Sequence, residues 1–297
     1  MSRVTGGRNM LDQVQGYTTQ DMEYLRFGDR GIGLRLFTPE GKGPFPLVVD
    51  IHGGAWNLSD FSSCQDRDAV LAGAGLAVAA IDFRQGSDKY PSSLVDINYA
   101  IRWLKSKAEA FRIDAERVGI CGQSSGGHLA MLAAMRPADP RYTELPVEGA
   151  GPETDAAVRC AGVSWPVINP LSRYRHAVRT RESGENADWV GKLPELHHIY
   201  WETEEAMEEG NPMLALERGE DVETPPALWV QGRPDIVHDY RDLSSGATMN
   251  EPERFAANYR AAGGEIEVVY VEQARRGTEV SWNPLAEFFL EHLGREP

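Results

Sequence analysis

The chain contains no run of about 18 apolar residues, so a conventional membrane-spanning helix is not expected. Cysteine is scarce. The three present, Cys64, Cys121 and Cys160, have no metal-ligand spacing, so neither a disulfide framework nor a cysteine metal site is expected. Cys121 and Cys160 sit in apolar runs and read as buried thiols. Basic residues are in deficit: 30 Lys and Arg stand against 45 Asp and Glu, a formal net charge of −15. Such a polyanion repels nucleic acid and anionic lipid, which removes both from the expected partners. The N-terminal stretch Met1–Gly16 lacks the apolar centre of a secretory signal, so the expectation is a cytoplasmic protein. Internal repeats and low-complexity tracts are missing too. What remains is an ordinary globular composition, 41% hydrophobic and 25% charged over 297 residues.

Short apolar runs alternate with amphipathic stretches, the pattern of parallel strands separated by helices. Strands are expected at 22–27, 32–37, 46–51, 77–81, 117–121, 157–164, 227–231 and 265–271. The middle ones are almost continuously apolar, as strands covered on both faces must be. Helices are expected at 62–74, 92–110, 125–134, 252–262 and 283–293. The fold class is therefore α/β: a mostly parallel eight-stranded sheet flanked by helices. The stretch 169–223 breaks the alternation with charge and aromatics (Tyr174, Trp189, Tyr200, Trp201). It is long for a loop and reads as a mostly helical cap inserted in a core of residues 1–168 and 224–297. A decorative surface insertion is the alternative. A second irregular stretch, 136–155, carries four prolines.

Two segments carry recognisable chemistry. Gly122-Gln123-Ser124-Ser125-Gly126-Gly127 follows the apolar strand Val118–Cys121 and precedes the helical run His128–Leu132. A Gly-x-Ser-x-Gly in that context forces its serine into a strained turn, with small neighbours where strand and helix backbones pass closely. The Ser124 hydroxyl would then project beside a helix N-terminus, where partial positive charge favours a developing anion. His52-Gly53-Gly54-Ala55-Trp56 follows the strand Leu47–Ile51. Its two glycines allow backbone N–H groups to face a cavity and, with the N–H of Ser125, to form an oxyanion hole. Each such donor is worth roughly 3–4 kcal/mol of barrier when placed where charge develops. His52 is read as holding this loop by hydrogen bonds rather than as a base.

On these residues the chain resembles the hormone-sensitive-lipase-type carboxylesterases and the feruloyl-esterase-like α/β-hydrolases. The matching features are HGGAW (52–56), DFR (82–84), Pro91 with Asp96, Trp103-Leu104 and GQSSGG (122–127), then PPAL (225–228) running into QGRPD (231–235). The likeness spans roughly residues 31–293. It implies the α/β-hydrolase fold, a cap over an acyl pocket and cofactor-free ester or amide hydrolysis by a Ser–Asp–His triad, with no metal. It assigns Ser124 as nucleophile, Asp235 as triad acid, and the backbone of Gly53, Gly54 and Ser125 as oxyanion donors. The expected partner is a small-molecule ester or acyl substrate, and a homodimer is the default assembly.

At one position the chain departs from the pattern. Counting on from the strand Val268–Val271, Arg276 stands where the resemblance places histidine. Arginine stays protonated and cannot take a proton from serine. Three readings remain open. Another histidine supplies the base: His238, three residues after Asp235, or His176, His197 or His198 from the inserted stretch, with His128 and His292 read as structural. Alternatively, Arg276, and with it Arg275, binds a carboxylate or polarises a carbonyl in a lyase, cyclase or isomerase that keeps the oxyanion pocket. In the third reading the fold is a small-molecule-binding pseudoenzyme. The loop 240–250 lengthens the chain after Asp235 and is read either as a surface loop or as a reshaped pocket wall.

Overall fold

A computed structural model describes residues 15–294. All but the last two residues of the N-terminal stretch read above as lacking a secretory signal lie outside them. Eight strands form one sheet: β1 (Tyr17–Phe27), β2 (Arg30–Pro39), β3 (Phe45–Ile51), β4 (Ala77–Ile81), β5 (Ile113–Gln123), β6 (Cys160–Ser164), β7 (Ala227–Arg233) and β8 (Ile266–Glu272). Their order is β1-β2-β4-β3-β5-β6-β7-β8. The pairs β1–β2 and β2–β4 are antiparallel and the rest are parallel. This is the mostly parallel eight-stranded α/β architecture that the alternating pattern predicts.

The helices are α1 (Gln65–Gly73), α2 (Ser92–Ser106), α3 (Ala108–Phe111), α4 (Ser125–Met135), α5 (Pro170–Ser183), α6 (Leu193–Trp201), α7 (Glu204–Glu209), α8 (Pro212–Glu217), α9 (Glu251–Ala261) and α10 (Glu279–Leu293). They bury both faces of the sheet, and the alternation of side chains along β4 shows it. Ala77, Ala79 and Ile81 join the core on the α2–α4–α9 side, while Val78 and Ala80 join the one beneath α1 and α10. Phe289 of α10 lies flat on the sheet because Gly119 and Gly162 offer no Cβ. One added at either position would come within 2.9 or 2.8 Å of its ring. Among the described residues, no helix is long and apolar enough to cross a membrane.

Several element bounds differ from expectation, each for a local reason. β1 starts at Tyr17 rather than Met22, because its polar first half still pairs with β2 as an exposed edge. β6 starts at Cys160 rather than Ala157. The N–H of Ala157 is held by the Asp155 carboxylate and its carbonyl by Lys105, so neither enters the ladder. The helix expected over 92–110 breaks at Lys107 into α2 and α3. The helix expected over 62–74 opens with a tight 3-10 turn, Phe61–Cys64, capped by Asp60. α10 begins a turn before Asn283 because Thr278 and Ser281 form a reciprocal capping box.

Between β6 and β7 the chain runs through α5, a 3-10 turn at Ala187–Trp189, α6, α7 and α8. Asn169 caps α5 and Asn211 caps α8, each followed by a proline suited to the first helical turn. The Asn211 amide also donates to Asn169 Oδ1 at 2.7 Å, which ties the two helix starts together.

Phe289→Ala should cost about 3–5 kcal/mol. Urea unfolding would read this as a lower midpoint with an unchanged slope.

Candidate active site

The C-terminal ends of the parallel strands are where an open α/β sheet builds its ligand sites, and Ser124, the Gly53–Gly54 loop, Asp235, His238 and Arg276 all follow such ends. Ser124 occupies the turn from β5 into α4 with φ 54° and ψ −121°, a conformation costly for a side-chain-bearing residue. The surroundings hold it there. Its N–H donates to the Ser164 carbonyl at 3.0 Å, and its own carbonyl accepts from the N–H groups of Val167 and His128. A Cβ on Gly122 would lie 2.3 Å from the Gly126 carbonyl oxygen, and one on Gly126 would lie 2.2 Å from that of Ile51. Three backbones therefore meet with no room for a methyl group. Ser124 stays partly exposed while Ser125 behind it is buried.

The His52–Trp56 loop lies against this turn. A Cβ on Gly53 would come 3.0 Å from the Gln123 carbonyl oxygen and 3.3 Å from the Ser124 Cβ. Gly54 (φ 107°) could carry no side chain, because its Cβ would fall on the Leu58 carbonyl. Among the described residues no backbone acceptor outside regular elements takes the N–H of Gly53 or Gly54. His52 turns its Nδ1 to the Gly53 carbonyl at 2.8 Å and stacks on Phe83, the loop-holding part expected of it. Burial keeps its pKa low. Trp56 anchors the far end of the loop. Its indole N–H donates to His128 Nδ1 at 3.2 Å, and its ring contacts His197, Tyr200 and Trp201. Beneath the turn, buried Arg67 pairs with Asp50 of β3 and reaches Gln123 Oε1 and Ser164 Oγ, both at 3.3 Å.

Asp235 follows β7 and is 7% exposed. Its Oδ1 accepts the N–H groups of Val237 and His238, and its Oδ2 accepts Gln231 Nε2 and the His238 ring at 3.0 Å. Burial opposes its charge, but these donors, led by His238, hold the carboxyl below its usual range. Of the seven histidines, His238 alone bonds Asp235. Asp235 accepts at Nδ1, so Nδ1 carries the proton and Nε2 presents a lone pair. Burial pushes the imidazole down to about 4, against the Asp235 bond; the nearby Arg173 and Arg276 guanidinium groups lower it further. His238 lines a cavity of about 10 Å³ together with Val167, whose N–H holds the Ser124 carbonyl. That is room for about one water molecule.

Arg276 sits just past β8, half-buried, with its guanidinium 5.2 Å from the Trp165 ring centre. Trp165 directly follows Ser164 and donates its indole N–H to Gln273 Oε1 at 2.8 Å. Arg275 beside it is exposed. The other histidines are engaged elsewhere. His176 stacks between Trp189 and Tyr240 and contacts the Ile236 carbonyl. His197 is buried with its Nδ1 on the Leu193 carbonyl. His198 pairs with the Tyr174 hydroxyl, and His128 bridges Trp56 to the Gly210 carbonyl. His292 packs on Phe288. Trp201 belongs to the core, at 1% exposure.

Sequence reasoning missed Trp165 and Arg173. Trp165 had a usable signal, its place at the C-terminal end of a core strand. Arg173 had none, because it sits in a charge-rich helical stretch that reads as solvated. In the fold it is 4% exposed, stacked over Trp189, and donates to the Val237 carbonyl. Among the described residues no three His, Cys, Asp or Glu side chains gather as metal ligands.

Trp56→Phe should destabilise the protein by about 1–3 kcal/mol, because it leaves the buried His128 Nδ1 without its donor. Chemical denaturation of the variant beside the parent measures it.

Comparison with known proteins bears on the fold and the family. The chain is 28% identical over 231 residues to esterase LipC of Mycobacterium tuberculosis, across 76% of this chain and 52% of that one, so it spans about half the length of that curated relative. Among solved structures it superposes on carboxyl esterase 2 of Tuber melanosporum with a TM-score of 0.70 at 15% identity, covering 95% of this chain and 89% of that one. The carboxylesterase EstE1 from a metagenomic library gives 0.69 at 20% identity, over 97% and 92%. The BD-FAE family model matches residues 34–241. With the eight-stranded sheet, the Ser124 turn and the two-glycine loop in place, the chain is an α/β-hydrolase and belongs to the BD-FAE family.

Proposed function

We propose that the protein hydrolyses small to medium carboxylic esters, lactones or related acyl compounds, with Ser124 as nucleophile. One observation carries this reading: Ser124 is held at a left-handed turn with the Gly53 backbone packed directly against it. The name of LipC supports the substrate class. In the proposed reaction Ser124 Oγ attacks the ester carbonyl, and its proton passes to His238 Nε2, directly or through one water. The N–H groups of Gly53, Gly54 and Ser125 receive the negative charge on the carbonyl oxygen. As the intermediate collapses, the alcohol leaves with the proton from His238. Water then releases the acid from the acyl-enzyme by the same path in reverse. Asp235 fixes the tautomer of His238 and stabilises its imidazolium. The helices of 169–223 form the cap. They touch the glycine loop where Asn57 donates to the Leu196 carbonyl, and the segment before α2 where Tyr90 N–H donates to the Tyr200 carbonyl.

A second reading draws on the same site. Burial and two nearby arginines resist charging of His238, which favours a non-hydrolytic reaction that uses the oxyanion pocket with Arg276 as electrostatic partner.

Ser124→Ala should abolish labelling by a fluorophosphonate and lower kcat/KM for p-nitrophenyl butyrate by about a thousandfold or more. An unlabelled parent protein with no turnover of the acetate or butyrate ester sinks the hydrolase reading.

His238→Ala should lose turnover to a similar extent, and Arg276→His should bring no gain. In the parent, kcat/KM should hold through mildly acidic pH and fall only as pH drops through about 4, where His238 takes up a proton and ceases to be a base. A rise in activity with Arg276→His would show that the base position is vacant, and a limb near the ordinary histidine value would show that the base is an imidazole less buried than His238.

A further inference from the structure

Several buried or half-buried arginines elsewhere in this acidic chain have anionic partners, while half-buried Arg102 and Arg179 bond only neutral acceptors. Arg67 is matched by Asp50, Arg84 by Asp96, Arg136 by Glu209 and Glu220, and Arg254 by Glu217. Arg173 and Arg276 also lack an acid partner, and they alone of these lie around Asp235. Arg173 is 4% exposed, donates one N–H to the Val237 carbonyl, and leaves its Nε without an acceptor. Arg276 is half-buried and meets only the face of Trp165. Among the described residues no carboxylate is in ion-pair contact with either group, and no acceptor meets the Arg276 guanidinium.

Asp235 acts on both arginines through space but has no bonding capacity to spare. A carboxylate offers about four lone-pair sites, and those of Asp235 already receive Val237 N–H, His238 N–H, Gln231 Nε2 and His238 Nδ1. With His238 neutral, one negative charge faces two positive ones. In a chain of net charge −15, Arg173 and Arg276 are thus two cations that share one already saturated carboxylate. Both cations are desolvated, and burial lowers the pKa of each. Removing a guanidinium from water without a partner is costly, and a bound anion repays it. The planar fork of Arg276 suits a carboxylate held by two bonds. Arg276 lies over Trp165, one residue beyond the carbonyl that holds Ser124 N–H, so it shares the strand-end region of the sheet with Ser124.

We infer that the preferred substrate is an ester that also carries a carboxylate, engaged by Arg276 with Arg173 reinforcing the positive field. This rests on the hydrolase reading for its chemistry and on the unpaired arginines for its specificity.

The test compares two matched pairs of esters by NMR: monoethyl glutarate with ethyl pentanoate, charged on the acyl half, and 4-acetoxybutanoate with butyl acetate, charged on the alcohol half. The parent should favour the anionic member of one pair in kcat/KM by roughly tenfold or more, and the favoured pair identifies the half that bears the charge. In Arg276→Gln that ratio should collapse towards one or below, and Arg276→Lys should restore part of it. Glutarate or the product hydroxy acid should raise the Tm of the parent and not of Arg276→Gln. If all four esters are hydrolysed with neither anionic member preferred, the inference fails and the hydrolase reading stands. If none is hydrolysed, the hydrolase reading fails, and the inference is decided by the Tm: no Arg276-dependent shift with either acid overturns it.

Discussion

The architecture of the site depends on one steric constraint, the meeting of three backbones at the top of the sheet. The end of β3, the end of β5 and the first turn of α4 converge so closely that Gly122 and Gly126 each face a carbonyl oxygen where a Cβ would sit. Interiors of this density transmit small errors rather than absorbing them. The left-handed conformation of Ser124 follows from that convergence, since strand and helix can join over so short a span only through a sharp turn. The position of the His52–Trp56 loop follows from it too, because Gly53 rests on the same turn. The constraint is reinforced at a distance. Trp56 ties the loop to His128 one helical turn past Ser124, and Arg67 ties Asp50 to the residues on either side of the turn.

Beside this rigid part lies an electrostatically unusual one. The loop after β7 folds back so that Asp235 is saturated by its own neighbours and by Gln231. Its histidine comes from three residues along the same loop rather than from the loop after β8. The loop after β8 carries Arg276, whose guanidinium lies over Trp165. In energetic terms the arrangement exchanges a group that changes its charge near neutral pH for one that keeps it. A buried, neutral His238 between two arginines and a carboxylate is a different acid–base environment from a solvent-facing imidazole. The same burial that lowers its proton affinity shields it from competing water.

The helices between β6 and β7 connect both parts. His176 of α5 is sandwiched by Trp189 and Tyr240, and Arg173 of the same helix holds the Val237 carbonyl. One helix therefore braces the loop that carries Asp235 and His238. The aromatic residues of α6 brace the glycine loop through Trp56. Movement of this segment relative to the sheet would disturb both the loop that faces Ser124 and the Asp235–His238 pair.

The amino-acid sequence by itself determined the fold class, the strand order of events along the chain, and the Ser124 and Gly53–Gly54 turns. These rest on short-range rules: alternation on a sheet covered on both faces, and glycine wherever backbones nearly touch. It also set Arg276 where the resemblance places a histidine, because that needs only counting from a strand end. Bounds were less legible where capping and edge pairing decided them, as at Thr278, Lys107 and Tyr17. Tertiary structure alone decided which of seven histidines meets Asp235, that Trp201 packs a core, and that Arg173, in a stretch that reads as solvent-facing, lies buried and unpaired. Those outcomes depend on contacts between segments tens of residues apart, such as Arg173 with Val237 and Trp56 with Trp201. Periodicity and spacing carry no record of which distant surfaces come to share a carboxylate or exclude water together.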